Sequence, residues 1–201
     1  MEGADAYGKS KIAQEQVIRQ YIRDNEGKEI PEIVTLHPTF VIGPTLTSER
    51  VSSAEGIAKI MNREIPGIPE MSMPSVDVRD VATAHINALT YPNLHGKRII
   101  LNKESIRFTA IAQILDEEFK QHGYRVQTRR IGFCPLKLAS FFDDQVKTIL
   151  PLIGTDVVAE NNLSKELLGV NYDRWTIKQS LVDMGYSLIE QGLVPEKRKP
   201  Q

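Results

Sequence analysis

The sequence predicts an α/β protein with at least part of a parallel sheet, and three observations carry that reading. Helix-like segments alternate with short extended ones along the chain, the order that parallel sheets require. The strand candidates at 33–36, 97–101 and 126–131 are β-branched or apolar runs punctuated by Pro31, Pro38, Gly96, Gly123 and Gly132. The 201 residues are 41% hydrophobic and 25% charged, a composition that fills one ordinary globular core. Three strands make a thin sheet for so many helices, and that shortage bears on function below.

The elements follow in order. Residues 7–24 are rich in helix formers, hold no Pro or Gly after Gly8, and stop near Asn25 and Gly27. Ile33-Val34-Thr35-Leu36 reads as a strand, and Gly43-Pro44 closes the loop beyond it. Residues 53–63 read as helix, 64–74 as an irregular, proline-containing stretch, and 75–78 as extended. Asp77 is placed to cap a helix over 79–90 that carries Val81, His85, Ile86 and Leu89. After the strand at 97–101, Ile111, Ile114, Leu115 and Phe119 mark the apolar face of a helix over 109–121 stopped by Gly123. A third strand at 126–131 precedes an apolar, helical 135–150. Ile177, Leu181, Met184 and Leu188 space the last helix, 174–191, which ends at Gly192.

Several function classes are excluded at this level. With 25 basic and 26 acidic side chains the net charge is -1, which gives no electrostatic case for nucleic acid or an anionic membrane. No apolar run approaches the roughly 20 residues of a membrane span. Met1-Glu2-Gly3-Ala4-Asp5 carries acids and no apolar stretch, so no secretory signal is expected. One cysteine, Cys134, rules out an internal disulfide and suits a cytoplasmic or other reducing compartment. No histidine pair has metal-ligand spacing, so no metal is expected. The run Glu196-Lys197-Arg198-Lys199 reads as a solvated basic tail over 196–201.

Tyr7 and Lys11 stand four apart on the first helix, on one face. A phenol ordinarily holds its proton until pH about 10, and a neighbouring cation favours the phenolate. A Tyr/Lys pair is therefore a workable general acid/base unit, although the same spacing also occurs as plain surface packing.

The context is more specific. Tyr7-Gly8-Lys9-Ser10-Lys11-Ile12-Ala13-Gln14-Glu15 resembles the active-site helix of the short-chain dehydrogenase/reductases, and Tyr-x-x-Ser-Lys-x-x-x-Glu is the form of their extended branch. His37-Pro38-Thr39-Phe40-Val41-Ile42-Gly43-Pro44 is similar to the loop after that branch's sixth strand. Val76-Asp77-Val78-Arg79-Asp80-Val81-Ala82-Thr83-Ala84-His85 is similar to the helix start on its substrate side. Gly96-Lys97-Arg98-Ile99-Ile100-Leu101 and Ser164-Lys165-Glu166-Leu167-Leu168-Gly169 follow in the same order. The resemblance covers about residues 5–195 and points to the NAD-dependent epimerase/dehydratase superfamily, nearest its dihydroflavonol-4-reductase-like members. It implies NAD(P)H-dependent reduction of a small carbonyl substrate, a ketone or aldehyde, with NADP favoured over NAD. Tyr7 would give the proton and Lys11 would hold the nicotinamide ribose. Pro38, Thr39, Phe40 and Val41 would line the nicotinamide. Ser52, Ser53 and the stretch 64–74 would shape the substrate pocket.

The chain departs from that family at its start. Extended members open with a strand and a Gly-x-x-Gly-x-x-Gly turn that seats the pyrophosphate on a helix N-terminus. No such motif is present, nor is the Ser/Thr that polarises the carbonyl. The expected fold is thus the C-terminal part of a Rossmann-type doubly wound sheet with a small, mostly helical substrate-binding region, lacking the glycine-rich N-terminal half. Residues 1–50 would be the remnant of the dinucleotide fold and 51–195 the substrate region with interleaved Rossmann elements. Lost phosphate contacts, each worth roughly 1.5–3 kcal/mol, would leave cofactor binding by this chain weak or absent. Strand 33–36 would be an open edge that a protein partner or second polypeptide covers. Three readings stay open: one piece of a two-part enzyme, a shortened gene product, or a non-catalytic structural subunit of a larger assembly.

Other residues carry blander expectations. His37 reads as a strand-end histidine satisfied by hydrogen bonds, His85 as packing, and His95 and His122 as solvated. Cys134 reads as a buried small hydrophobe. Asp77 and Asp80 read as cap and first-turn acids, Arg79 as paired to a surface acid, and Trp175 as an anchor for the last helix. Arg129-Arg130 is too short for a nucleic-acid patch.

Overall fold

The computed structural model describes residues 6–49, 52–142 and 144–197; the end of the basic tail lies outside them. Helix α1 (Ala6–Asp24) is followed by β1 (Thr35–Pro38) and β2 (Phe40–Ile42). Then come α2 (Ser52–Asn62), β3 (Ile68–Pro69), β4 (Ser72–Asp77), α3 (Val78–Thr90), β5 (Arg98–Leu101), β6 (Glu104–Arg107) and α4 (Phe108–Phe119). The chain continues through β7 (Arg130–Ile131), α5 (Phe133–Ala139), α6 (Asp144–Ile149), α7 (Asn162–Leu168) and α8 (Ile177–Glu190).

The strands form three small sheets. β1 pairs with β5 in parallel, Thr35 opposite Arg98 and Pro38 opposite Leu101. β2 pairs in parallel with β4, and β4 is antiparallel to β6. β3 and β7 make a short parallel bridge. Pro38 and Thr39 mark the switch between sheets: Thr39 N–H donates to Leu101 O at 3.0 Å, after which the chain turns to β4. β1 therefore has one neighbour rather than none, and its other side meets no strand among the described residues.

Two cores hold the molecule. In one, Ile57, Ile60 and Met61 of α2, Ile111, Leu115 and Phe119 of α4, and Leu181, Met184 and Leu188 of α8 interlock around Ile42 and Ile68. Gly185 allows α8 to approach α4, because a Cβ there would fall 2.5 Å from the Phe119 ring. The other core joins Val76, Ala84, Leu94, Ile99 and Leu101 to Leu168, Val170 and Tyr172. Asp77 caps α3 by accepting from Arg79 N–H at 2.7 Å, as its position predicts.

Several expectations need correction. The first strand sits two residues later, since Ile33 N–H donates to His95 Nδ1 and pairing begins at Thr35. The strand at 126–131 shrinks to its last two residues because buried Gln127 ties itself to Ile60 and Ile65 carbonyls instead of a ladder. Residues 135–150 split into α5 and α6 around a turn at Ser140–Phe142 whose two phenylalanines are exposed. Cys134 is exposed, not buried: Leu136 takes the inward position of α5, and two residues away on a helix is the opposite side. Helix α8 starts at Ile177, capped by the Thr176 hydroxyl. The short β2, β3 and β6, and helix α7, were not expected as elements.

Candidate active site

Helix α1 buries none of its 19 residues. It is braced to the sheet by Glu15, which accepts from Arg98 Nε of β5 at 2.9 Å and also pairs with Arg19. Partial burial alone would raise the Glu15 carboxyl, but the hydrogen bonds and charges of Arg19 and Arg98 outweigh it and hold it below the ordinary value. Ile22, Arg23 and the turn at 25–28 line a hollow with His95, just before β5. From Glu15 onward α1 therefore runs toward the amino ends of the strands. Its first turn points to their carboxyl ends, about 12 Å beyond Glu15 at 1.5 Å per residue.

Tyr7 lies in that first turn and Lys11 one turn further on. The Lys11 ammonium is 5.4 Å from the centre of the Tyr7 ring, and the ring is 69% exposed. Ser10 donates to Tyr7 O at 2.8 Å, a bond within the helix turn. Pro38 closes β1 at the same end of the sheet, and ligands of parallel sheets bind at such carboxyl ends. Thr39, Phe40 and Val41 follow. The Thr39 hydroxyl is held between Leu101 O and Asn102 Oδ1, and Phe40 packs on Phe108 with ring centres 6.0 Å apart. Val41 lies opposite Val76.

His37 corrects its expectation: its Nε2 is buried without a hydrogen-bond partner. Burial first, then the charge of Arg98, pulls its ring below the ordinary histidine value. His85 is exposed and bonds its own helix at Val81 O, whereas His95 accepts from Ile33 and His122 meets Tyr186 Oη at 3.3 Å.

Ser52 and Ser53 open α2, on the loop leaving β2. The stretch 64–74 contributes Glu70, Met71 and Ser72 to a cleft of about 250 Å³ completed by Arg107, Arg130 and Asp156. Arg130 pairs with Glu70 at 3.2 Å, Arg107 with Asp156 at 3.6 Å, and Ser72 donates to Asp156 at 2.6 Å. The charges in the cleft balance. No group of three metal-ligating side chains occurs among the described residues. No helix of the described residues is long and apolar enough to cross a membrane.

Comparison with known proteins follows the same lines. An uncharacterised oxidoreductase of Saccharomyces cerevisiae is 27% identical over 191 residues, 92% of this chain and 50% of the yeast protein. The NADPH-dependent methylglyoxal reductase of the same yeast is 28% identical over 121 residues, 57% of this chain and 35% of its own length. The solved structure of yeast methylglyoxal/isovaleraldehyde reductase with NADPH superposes at a TM-score of 0.69 and 23% identity, over 94% of this chain and 52% of that one. A nucleoside-diphosphate-sugar epimerase of Pseudomonas aeruginosa gives 0.73 at 15% identity, over 96% and 58%. No protein-family model matches the chain.

The solved structures define the fold class, an α/β protein with Rossmann-type architecture. Within it, the chain's homologues and structural neighbours are reductases and epimerases of the NAD-dependent epimerase/dehydratase superfamily, and the chain resembles the extended, dihydroflavonol-4-reductase-like reductases. It spans half or less of the length of the curated relatives it matches.

Proposed function

We propose that this chain carries the proton-transfer and substrate-side part of an NAD(P)H-dependent carbonyl reductase and acts together with a complementing half that grips the dinucleotide. One observation carries the reading: Tyr7 and Lys11 share an exposed face near the start of α1, a helix with no fully buried residue. Val17 and Tyr21 stand exposed on this helix and call for a cover, and the side of β1 that meets no strand among the described residues calls for one.

The residues fit one end of a nicotinamide dinucleotide. Lys11 would hold the ribose hydroxyls, and Pro38 to Val41 would flank the ring. None of the described strands leads through a Gly-x-x-Gly turn into a helix, so the pyrophosphate falls to the complementing half. When bound, the cofactor supplies hydride to the carbonyl carbon. The Tyr7 hydroxyl gives its proton to the carbonyl oxygen, and the Lys11 charge supports the phenolate left behind. In this reading residues 1–50 belong to the dinucleotide fold and 51–195 to the substrate side, where Ser52, Ser53 and the Glu70–Asp156 cleft receive a small polar ketone or aldehyde.

The test is reconstitution. The chain is combined with a polypeptide bearing a glycine-rich Rossmann half, and NADPH oxidation is followed with small aldehydes and ketones. Activity is expected in the mixture and absent from either part. A tight assembly that covers α1 with an unrelated protein and turns over no carbonyl would favour the non-catalytic structural role instead.

A further inference from the structure

We propose that Asp80 makes the joint between α3 and α8 a proton-operated latch: neutral, it leaves Arg79 locked on Asp77 and Asp183 above Trp175, and ionised, it competes for the same cations and loosens the joint.

The joint is closely described. Arg79 donates from Nε to Asp77 Oδ1 at 2.8 Å, from Nη2 to Asp77 Oδ2 at 2.7 Å, and from Nη1 to Asp183 Oδ2 of α8 at 2.8 Å. Its guanidinium lies 3.5 Å from the centre of the Trp175 ring. The Ser180 hydroxyl of α8 donates to Asp77 Oδ2 at 2.6 Å. Asp77 is fully buried, and these bonds account for both of its oxygens. One turn further, Asp80 is 3% exposed, and its Oδ2 is buried with no partner. Such an oxygen is costly when charged and cheap when protonated.

The groups facing Asp80 come from every element around it. Asp77 of β4 repels it, whereas Arg79 of α3, Lys103 between β5 and β6, and Arg174 ahead of α8 attract it. Tyr172 is also close enough to feel its charge. The Lys103 ammonium is committed to Tyr172 O, and Arg79 is committed to Asp77 and Asp183. Of the three cations, Lys103 and Arg79 therefore already hold other partners, for which an ionised Asp80 competes. Burial, then the Asp77 charge, pushes the Asp80 carboxyl up to about 6 against the pull of the three cations. With the carboxyl near 6, the protonated state gives way to the ionised one between mildly acidic and neutral pH.

The sign follows from linkage. A carboxyl raised in the folded state favours folding while protonated, and that contribution is lost as pH climbs through about 6. Trp175 is the single tryptophan, so its emission reports this joint alone. In wild type, emission should show one inflection near pH 6 between pH 4.5 and 8, and D80N should lack it. The ratio of folding equilibrium constants, D80N over wild type, should rise by roughly one to two powers of ten across that range. K103Q removes an attracting charge and should move the inflection to higher pH, which keeps the proposal testable if D80N does not fold. A flat emission profile, the same inflection in D80N, or an unmoved inflection in K103Q would overturn it. The readouts need neither cofactor nor partner.

Discussion

At the scale of residues, the chemistry rests on side chains whose surroundings differ sharply. Tyr7 and Lys11 stand in solvent, held to each other and to little else. In an active assembly, Tyr7→Phe should lower turnover by roughly two to four powers of ten while NADPH affinity changes little, read as kcat against Kd. Unchanged turnover would remove Tyr7 from proton transfer. Asp77 is the opposite case. Burial works against its charge, but the hydrogen bonds of Arg79 and Ser180 and the Arg79 charge hold it below the ordinary aspartate value. Its contribution to stability is present above that ordinary value and disappears as pH falls through the lowered one. Asp77→Asn should cost about 2 kcal/mol at pH 7 by urea unfolding, with the penalty shrinking toward acid. The Tyr/Lys spacing was legible because it is local, four residues on one helix. The Glu15–Arg98 brace and the bare oxygen of Asp80 were not, because each depends on groups brought from distant parts of the chain.

At the scale of elements, helices α2, α4 and α8 form one packed unit, and Gly185 sets their spacing. Gly185→Ala would drive a methyl group into the buried Phe119 ring, itself packed against Tyr124 and Tyr186. The expected loss is about 1–3 kcal/mol in thermal or urea unfolding, and Phe119→Leu should restore part of it in the double variant. If Gly185→Ala leaves stability unchanged, the close approach of α4 and α8 does not constrain the fold. Helices α3, α4 and α8 could be read from apolar periodicity and capping within one or two residues, or three at the start of α8. Strands β2, β3 and β6 could not. They are two to four residues long, and pairing partners far along the chain define them, so nothing within the segment announces them. The same applies to α5 and α6, where an apolar run gave helix correctly but concealed the turn that exposes Phe141 and Phe142.

At the scale of the whole molecule, the two halves of the structure are unequal in completeness. The unit of α2, α4 and α8 closes on itself around a buried cluster. The unit of α1, β1 and β5 does not: among the described residues, a helix with no fully buried residue lies by a two-stranded sheet in which β1 pairs only with β5. That contrast parallels the match of this chain to half or less of its relatives. The family resemblance was readable because it sits in five short stretches of local sequence, whereas the pairing of β1 with β5 depends on residues about 60 positions apart. The most direct measurement is a titration of the purified chain against NADPH, followed by nicotinamide fluorescence, with and without a glycine-rich complementing half. Binding that appears only when the second half is added is the expected result. Saturable, micromolar binding by this chain alone would contradict the account.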